Sequence, residues 1–195
     1  MSSAEPNLPS DLQSVIDELA RSEQGARRLI EGLTDTQLNW QPYDGAAWSI
    51  AQCLDHLGRI NTTYAAALHA AVQTRGPAAL PRRGPICPGW FSRFFIRSMD
   101  APPRRKFNAP TRAKPSSPIE GGQALTSFVD SHNPIRSLIH RSLDLDFNRI
   151  RFSNPFVRLL RFTVGTGLMI ILAHDRRHLW QAEQVRNSLP VQHVQ

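Results

Sequence analysis

The chain has 195 residues, of which 41% are hydrophobic and 20% charged, and its formal net charge is +7. This apolar fraction is too high for a disordered chain, and the longest uncharged apolar stretch, residues 162–173, is shorter than the about 20 residues that span a bilayer. Two cysteines make no disulfide framework, and the first ten residues lack the pattern of a signal peptide. We therefore expect a cytoplasmic protein without a membrane span.

The positive charge is concentrated in one segment. Residues 76–118 contain nine basic residues and one acid, which gives them +8, and the rest of the chain sums to −1. An even basic coat would favour nucleic-acid binding. Because the body of the protein is close to neutral, we expect no nucleic-acid partner.

Apolar residues recur at helical spacing in four stretches. The first predicted helix covers residues 10–33, with Ser10 or Asp11 as its cap. Ser49 is a good cap for the second, which ends near residue 75. The third begins after residue 122, and Pro134 should kink or break it. The last runs from Val164 or Gly167 to Asn187, and no β-hairpin signal separates the two.

A long connection rich in proline and arginine, residues 76–118, joins the second and third helices. It holds nine of the 15 prolines, which forbid a long helix or a central strand there. A short helix is predicted at residues 89–99, where five apolar side chains interleave with Arg93 and Arg97, and we expect the aromatic ones to pack. The prediction is an all-α four-helix bundle, a single domain over residues 1–195 with about 10–189 ordered.

The last helix carries two histidines, His174 and His178, one turn apart. Residues at i and i+4 lie on the same face, about 6 Å apart along the axis, so both imidazoles could bind one cation. Ile170 and Ala182 extend that face, which therefore points to the bundle interior. His56 occupies a comparable inward stripe of the second helix, and three histidines with an open position are typical of a catalytic metal site. The alternatives are a solvent-exposed pair of histidines and a core histidine bonded to a backbone carbonyl.

Several short motifs resemble the DinB-like metalloprotein superfamily. They are Leu38-x-Trp40-x-Pro42, Trp48-Ser49-Ile50-Ala51-Gln52-Cys53-Leu54-Asp55-His56-Leu57, Lys106-Phe107-Asn108-Ala109-Pro110, Asn154-Pro155-Phe156 and His174-x-x-x-His178-Leu179-x-Gln181. The resemblance implies a four-helix bundle, often a homodimer, that holds a divalent metal with His56, His174 and His178. Members include transferases that join low-molecular-weight thiols to electrophiles and isomerases that depend on a thiol.

A metal held by three neutral imidazoles keeps its full charge and would lower the pKa of a bound water or thiol, which then acts as nucleophile. Asp55, Asp175 and Gln181 are candidates to orient a ligand imidazole, although Asp175 could equally form a surface salt bridge. The ligands accept zinc, nickel or iron alike. We expect a thiol transferase or a hydrolase acting on a small-molecule substrate. The alternative is a metal- or ligand-binding or interaction protein with a vestigial site.

Other chemistry-bearing residues favour plainer interpretations. Cys53 is expected to be a core residue and not a fourth ligand, and His132 and His140 to be solvated or locally bonded. Trp40 and Trp48 are expected to fill the core, with a wall of the substrate site as the alternative.

The basic aromatic stretch from residue 90 to 114 has three interpretations. It could be a lid over the mouth of the bundle, a surface for anionic membranes or a nucleic-acid patch. The lid is favoured because the resemblance extends across this stretch, and a merely solvated connection is an equal alternative.

Overall fold

Long helices form the frame of the protein, of which the computed structural model describes residues 8–75, 81–102, 118–157 and 159–190. The helices are α1 (Ser10–Ile30), α2 (Asp35–Asn39), α3 (Ile50–Arg75), α4 (Trp90–Met99), α5 (Gly121–Ser131), α6 (Asn133–Arg141) and α7 (Val164–Asn187). Two short strands, β1 (Arg151–Ser153) and β2 (Arg161–Thr163), precede α7. The central helix α3 packs against α5 and α7, and α7 also contacts α1 and α4. The prediction of an all-α fold is confirmed.

The third predicted helix is two helices, as Pro134 indicated. His132 ends α5 and also begins α6, and Pro134 lies in the first turn of α6, where its missing N–H costs nothing. The cap at Ser49 is confirmed, since its hydroxyl accepts the N–H of Gln52 and the Gln52 side chain accepts the N–H of Ser49.

The first helix begins at Ser10 as predicted, but its cap and its end differ from the prediction. Pro9 is the residue before the first turn, and no side chain caps it. Asp11 instead binds the Arg82 guanidinium and the N–H of Ile86, which fastens the chain after residue 81 to α1. The helix ends at Ile30 because Gly32 adopts a left-handed φ of 74°.

The prediction that no hairpin separates the last two helices is wrong. β1 and β2 pair antiparallel, with Phe152 opposite Phe162 and both rings buried. Three-residue strands are too short to show alternation, and a seven-residue connection hides the usual hairpin signal. Asn154 begins this connection by accepting the N–H groups of Phe156 and Val157.

The core consists of two apolar clusters stacked along the bundle. One contains the first half of α1, the second half of α3, α6, the hairpin and the first half of α7. The other contains the end of α1, the first half of α3, α5 and the end of α7. Polar side chains occupy the level between them on every long helix: Ser22 and Glu23, His56 and Asn61, Ser131 and His132, and Asp175 and His178. We call this level the polar layer.

Part of the basic connection packs on the bundle and part does not. Phe95 and Ile96 of α4 contact the first apolar cluster, and α4 lies along α7. Trp90 and Phe94, in contrast, are 83% and 68% exposed, so the expectation that the aromatic residues pack is wrong for the outer face of α4. The stretch Lys106–Pro110 lies outside the described residues. Among the described residues, no helix combines the length and apolar character needed to cross a membrane.

Candidate metal centre

Two neighbouring helices bring the three predicted histidines together. His56 lies in the second turn of α3, shortly after the Ser49 cap, and is 3% exposed. His174 and His178 lie one turn apart in the middle of α7, on the side that packs against α3. Their potential ligand atoms all lie within 4.8 Å of one another. The ring centroids are 5.1 Å apart for His56 and His174, and 4.6 Å apart for each of the other two pairs.

The surroundings keep the two histidines of α7 neutral. Burial lowers the pKa of His174 to about 3, and the charges of His56 and Arg177 act in the same direction. Burial also lowers the pKa of His178 well below its ordinary value, with His174 and His56 adding to the effect. A neutral imidazole keeps the lone pair that metal coordination needs.

Among the residues that the structure describes, two buried ring nitrogens of the site have no protein partner. The Nδ1 atoms of His174 and His178 have no hydrogen bond, although a buried polar atom is normally paired. Neutral imidazoles with a vacant buried nitrogen, packed this closely, match the donor set that divalent transition metals prefer. The residues present therefore fit a metal ion, which would give these nitrogens a partner.

Trp48 forms one wall of the site. Its ring stacks on His178 at a centroid distance of 5.6 Å and contacts His56 at 4.7 Å. The same side chain is partly buried against the second apolar cluster. Trp40 and Trp48 both pack against that cluster, as expected, and Trp48 in addition contacts the histidine cluster.

The three candidates for orienting a ligand take different positions. The side chain of Gln181 hydrogen bonds His178 and opposes the fall of its pKa. The carboxylate of Asp55 lies 3.7 Å from the Arg59 guanidinium on the same helix, and its role toward a ligand stays a prediction. Asp175 is completely buried, so the surface salt bridge considered for it is wrong, and its oxygens bind Asn61 and His132 instead.

A second buried cluster joins four helices in the polar layer. His132 is fully buried between two carboxylates, with Nδ1 2.8 Å from Glu23 and Nε2 3.0 Å from Asp175. Asn61 donates to Asp175 at 2.9 Å, and Arg136 donates to Glu23 at 2.7 Å. Burial lowers the pKa of His132, but the two carboxylates outweigh it and raise the pKa overall. The carboxylates on its two sides thus favour the charged form of the imidazole.

The expectation that His132 is solvated or locally bonded is therefore wrong. The sequence contained a signal for its burial, because the apolar residues Phe128 and Ile135 lie at i−4 and i+3 from His132. Both are fully buried in the structure. Its carboxylate partners come from α1 and α7, far away in the chain, and no spacing rule identifies them. His140 is exposed, as expected.

Cys53 and His69 both stand apart from the site. Cys53 is fully buried in the second apolar cluster, and burial raises the pKa of its thiol, so it is a core residue as expected. His69 hydrogen bonds the carbonyl oxygen of Pro134.

The end of α4 is fastened to α7 beside the histidine pair. The guanidinium of Arg177, a buried residue, donates to the carbonyl oxygen of Ser98 at 3.0 Å. Its neighbour Arg176 forms ion pairs with Asp100 and with Glu18 of α1. These contacts hold a short stretch of the basic connection against the level of the metal centre.

Comparison with known families agrees with this geometry. The chain matches the family model of the DinB superfamily over residues 18–182, and it belongs to that superfamily. No curated protein matches significantly. No solved structure matches significantly either.

Proposed function

We propose that this DinB superfamily protein is a metal-dependent enzyme that binds one divalent cation through His56, His174 and His178. Its reaction is the transfer of a low-molecular-weight thiol to a small electrophile, or hydrolysis. The observation that carries the proposal is the convergence of three imidazoles from two helices, two of them with a vacant buried nitrogen. Zinc, nickel and iron all suit this donor set.

A bound divalent cation would lower the pKa of a water or thiol ligand and so supply a nucleophile at neutral pH. The protein contributes the environment for that chemistry. Trp48 covers two of the imidazoles, His56 and His178, which are 3% and 8% exposed, and Gln181 restrains the ring of His178. His174 is more exposed than His56 and His178, so a small substrate would approach from its side.

The buried charge of Arg177 also favours this chemistry. Its positive field helps to lower the pKa of both histidines of α7, which places it near the centre. A nearby cation stabilises an anionic nucleophile or a carboxylate of the substrate. A reducing, cytoplasmic setting belongs to the same proposal, because Cys87 is an exposed free thiol.

Metal content is the first test. Purified protein should contain about one equivalent of metal by elemental analysis, and His178→Ala should lose it, since two imidazoles bind much more weakly than three. His140→Ala, which removes an exposed histidine of α6, should keep the metal. Full retention of metal by His178→Ala would show that the site is wrongly assigned.

Activity is the second test. The loaded protein is incubated with a panel of electrophiles and several biological thiols, and products are followed by mass spectrometry. Turnover that requires both metal and thiol supports the transferase, and turnover that requires metal alone supports the hydrolase. Stoichiometric metal without turnover of any panel member would favour the alternative, a metal-binding protein without catalysis. Sedimentation of the same sample tests the expected homodimer.

A further inference from the structure

The outer face of α4 is an exposed stripe of aromatic and basic side chains. At about 100° per residue, Trp90 and Phe94 lie within 40° of each other around the helix, and Arg93 and Arg97 follow on one flank. Trp90 is 83% and Phe94 68% exposed, and both arginines are exposed as well. We call these four residues the α4 stripe. The opposite face, with Phe95 and Ile96, is already used in packing on the bundle.

The stripe is not needed to hold α4 in place. Phe95 packs on Phe162 of the hairpin at a centroid distance of 4.9 Å. At the other end of the helix, the carbonyl oxygen of Ser98 accepts a hydrogen bond from Arg177, and Asp100 pairs with Arg176. The helix is thus anchored along its inner face and at its end. Large aromatic side chains that are exposed on a helix anchored in this way indicate an interaction surface.

The charge around the stripe selects the kind of partner. Residues 81–99 contain four arginines and no acid. Arg82 is neutralised by Asp11, but among the described residues neither Arg93 nor Arg97 forms an ion pair. Within the described residues, the hydrogen bonds of Arg93 go to neutral groups, which are the carbonyl oxygen of Pro88 and the sulfur of Cys87. The surface therefore presents positive charge together with apolar rings.

A second copy of the chain is a poor partner for this surface. In a twofold contact each α4 would face another α4, which would bring four arginines together without a carboxylate from either helix. Like charges at such a contact are destabilising. An anionic surface with an apolar interior satisfies both components of the stripe. Aromatic rings enter the acyl boundary of a bilayer, and arginines bind the headgroup phosphates.

We propose that the α4 stripe docks the protein peripherally on anionic lipid membranes, with α4 lying in the plane of the interface. Trp90 and Phe94 insert at the level of the headgroups, and Arg93 and Arg97 contact phosphate groups. The metal centre is not part of this contact, so docking does not depend on the proposed catalytic function. A membrane-bound population would bring the site to electrophiles that partition into lipid.

Vesicle sedimentation tests the proposal. Wild-type protein should sediment with vesicles of phosphatidylcholine containing phosphatidylglycerol or phosphatidylserine, and much less with phosphatidylcholine alone. Arg93→Gln with Arg97→Gln should lower the partition coefficient on anionic vesicles by about 25-fold, at roughly fivefold for each arginine near the surface. Trp90→Ser with Phe94→Ser should lower it at least about tenfold.

Matched variants serve as controls. Arg27→Gln with Arg141→Gln removes the same charge from exposed positions of α1 and α6, and Tyr43→Ser removes an aromatic side chain that is 80% exposed. Both should bind vesicles like wild type. Circular dichroism and thermal melting check that each variant is folded, which the exposure of the changed residues leads us to expect.

Four results would overturn the proposal. The first is that wild-type protein does not bind anionic vesicles, and the second is that the α4 variants bind them as well as wild type does. The third is that the control variants lose as much binding as the α4 variants. The fourth is that the stripe mediates self-association in sedimentation, or binds a DNA duplex, instead of binding lipid.

Discussion

Substitution of His132 tests the buried charge cluster most directly. His132→Ala removes the positive partner of Asp175, a completely buried carboxylate. Among the described residues, Asp175 would then keep only Asn61, a neutral hydrogen-bond donor. Glu23 is affected less, because it retains Arg136 and its side chain is 16% exposed. Breaking a buried ion pair from one side costs about 3–5 kcal/mol. We expect a loss of this size in the free energy of unfolding.

Urea denaturation of the metal-free protein measures this loss, with His140→Ala as the control on the exposed side of α6. The control should change the free energy of unfolding by less than about 0.5 kcal/mol. In His132→Ala with Asp175→Asn the stranded charge is gone, so the double variant should be more stable than the sum of the single losses predicts. A loss below about 1 kcal/mol for His132→Ala, or strict additivity, would refute the assignment of a buried ion pair.

The difference in the free energy of unfolding between wild type and His132→Ala should depend on pH. Because the pKa of His132 lies above its ordinary value of 6.5 in the folded state, its contribution is complete below about that pH and declines as pH rises through the raised pKa. The pKa of Glu23 is lowered from 4.5, so the carboxylate stays charged down to below that pH. The free energy of unfolding should therefore differ most between wild type and His132→Ala between about pH 4.5 and 6.5. A difference that stays constant up to about pH 9 would contradict a charged imidazole.

Three further substitutions give distinct results. Gln181→Ala should weaken metal affinity about 10- to 100-fold without preventing folding, as measured by competition with a chelator. Gly58→Ala should destabilise by about 1–3 kcal/mol in urea, because a Cβ there would lie 2.9 Å from the backbone carbon of Ser127, whereas Gly25→Ala meets no atom within 4 Å and should be neutral or stabilising. Ser49→Ala should cost about 1 kcal/mol through loss of the α3 cap, and an unchanged melting temperature would contradict that role.

Local patterns in the sequence were sufficient for the long helices and for the histidine pair, but not for the short helix α2. The spacing of His174 and His178 places both on one face whatever the rest of the fold, and the apolar residues before and after them set that face inward. His56 needed its own inward stripe and the resemblance to known proteins. The face on which each of these side chains lies can be read within one helix, because the number of residues between two side chains fixes the angle between them around the helix axis.

The missed features depend on contacts between elements distant in the chain. His132 is 109 residues from Glu23 and 43 from Asp175, and neither separation is encoded by a helical period. Its charge state follows from those partners, so a sequence pattern could at most have indicated that it is buried. Trp48 likewise reaches His178 only because α3 and α7 pack side by side. The exposure of Trp90 was missed because a large aromatic residue is normally buried, and the sequence was interpreted by that general tendency.

The polar layer connects the stability of the bundle to the geometry of the three-histidine cluster. Asn61 and His56 lie on α3, and Asp175 and His174 are adjacent on α7, so the hydrogen bond from Asn61 to Asp175 joins the two helices that carry all three histidines. Asp175 points about 100° away from His174 around α7, toward His132. Because a buried carboxylate must keep both partners, rotation of α7 would break these bonds and would also turn the histidine pair away from His56. The charged cluster therefore fixes the direction in which the imidazoles point, a constraint that apolar packing alone imposes only weakly.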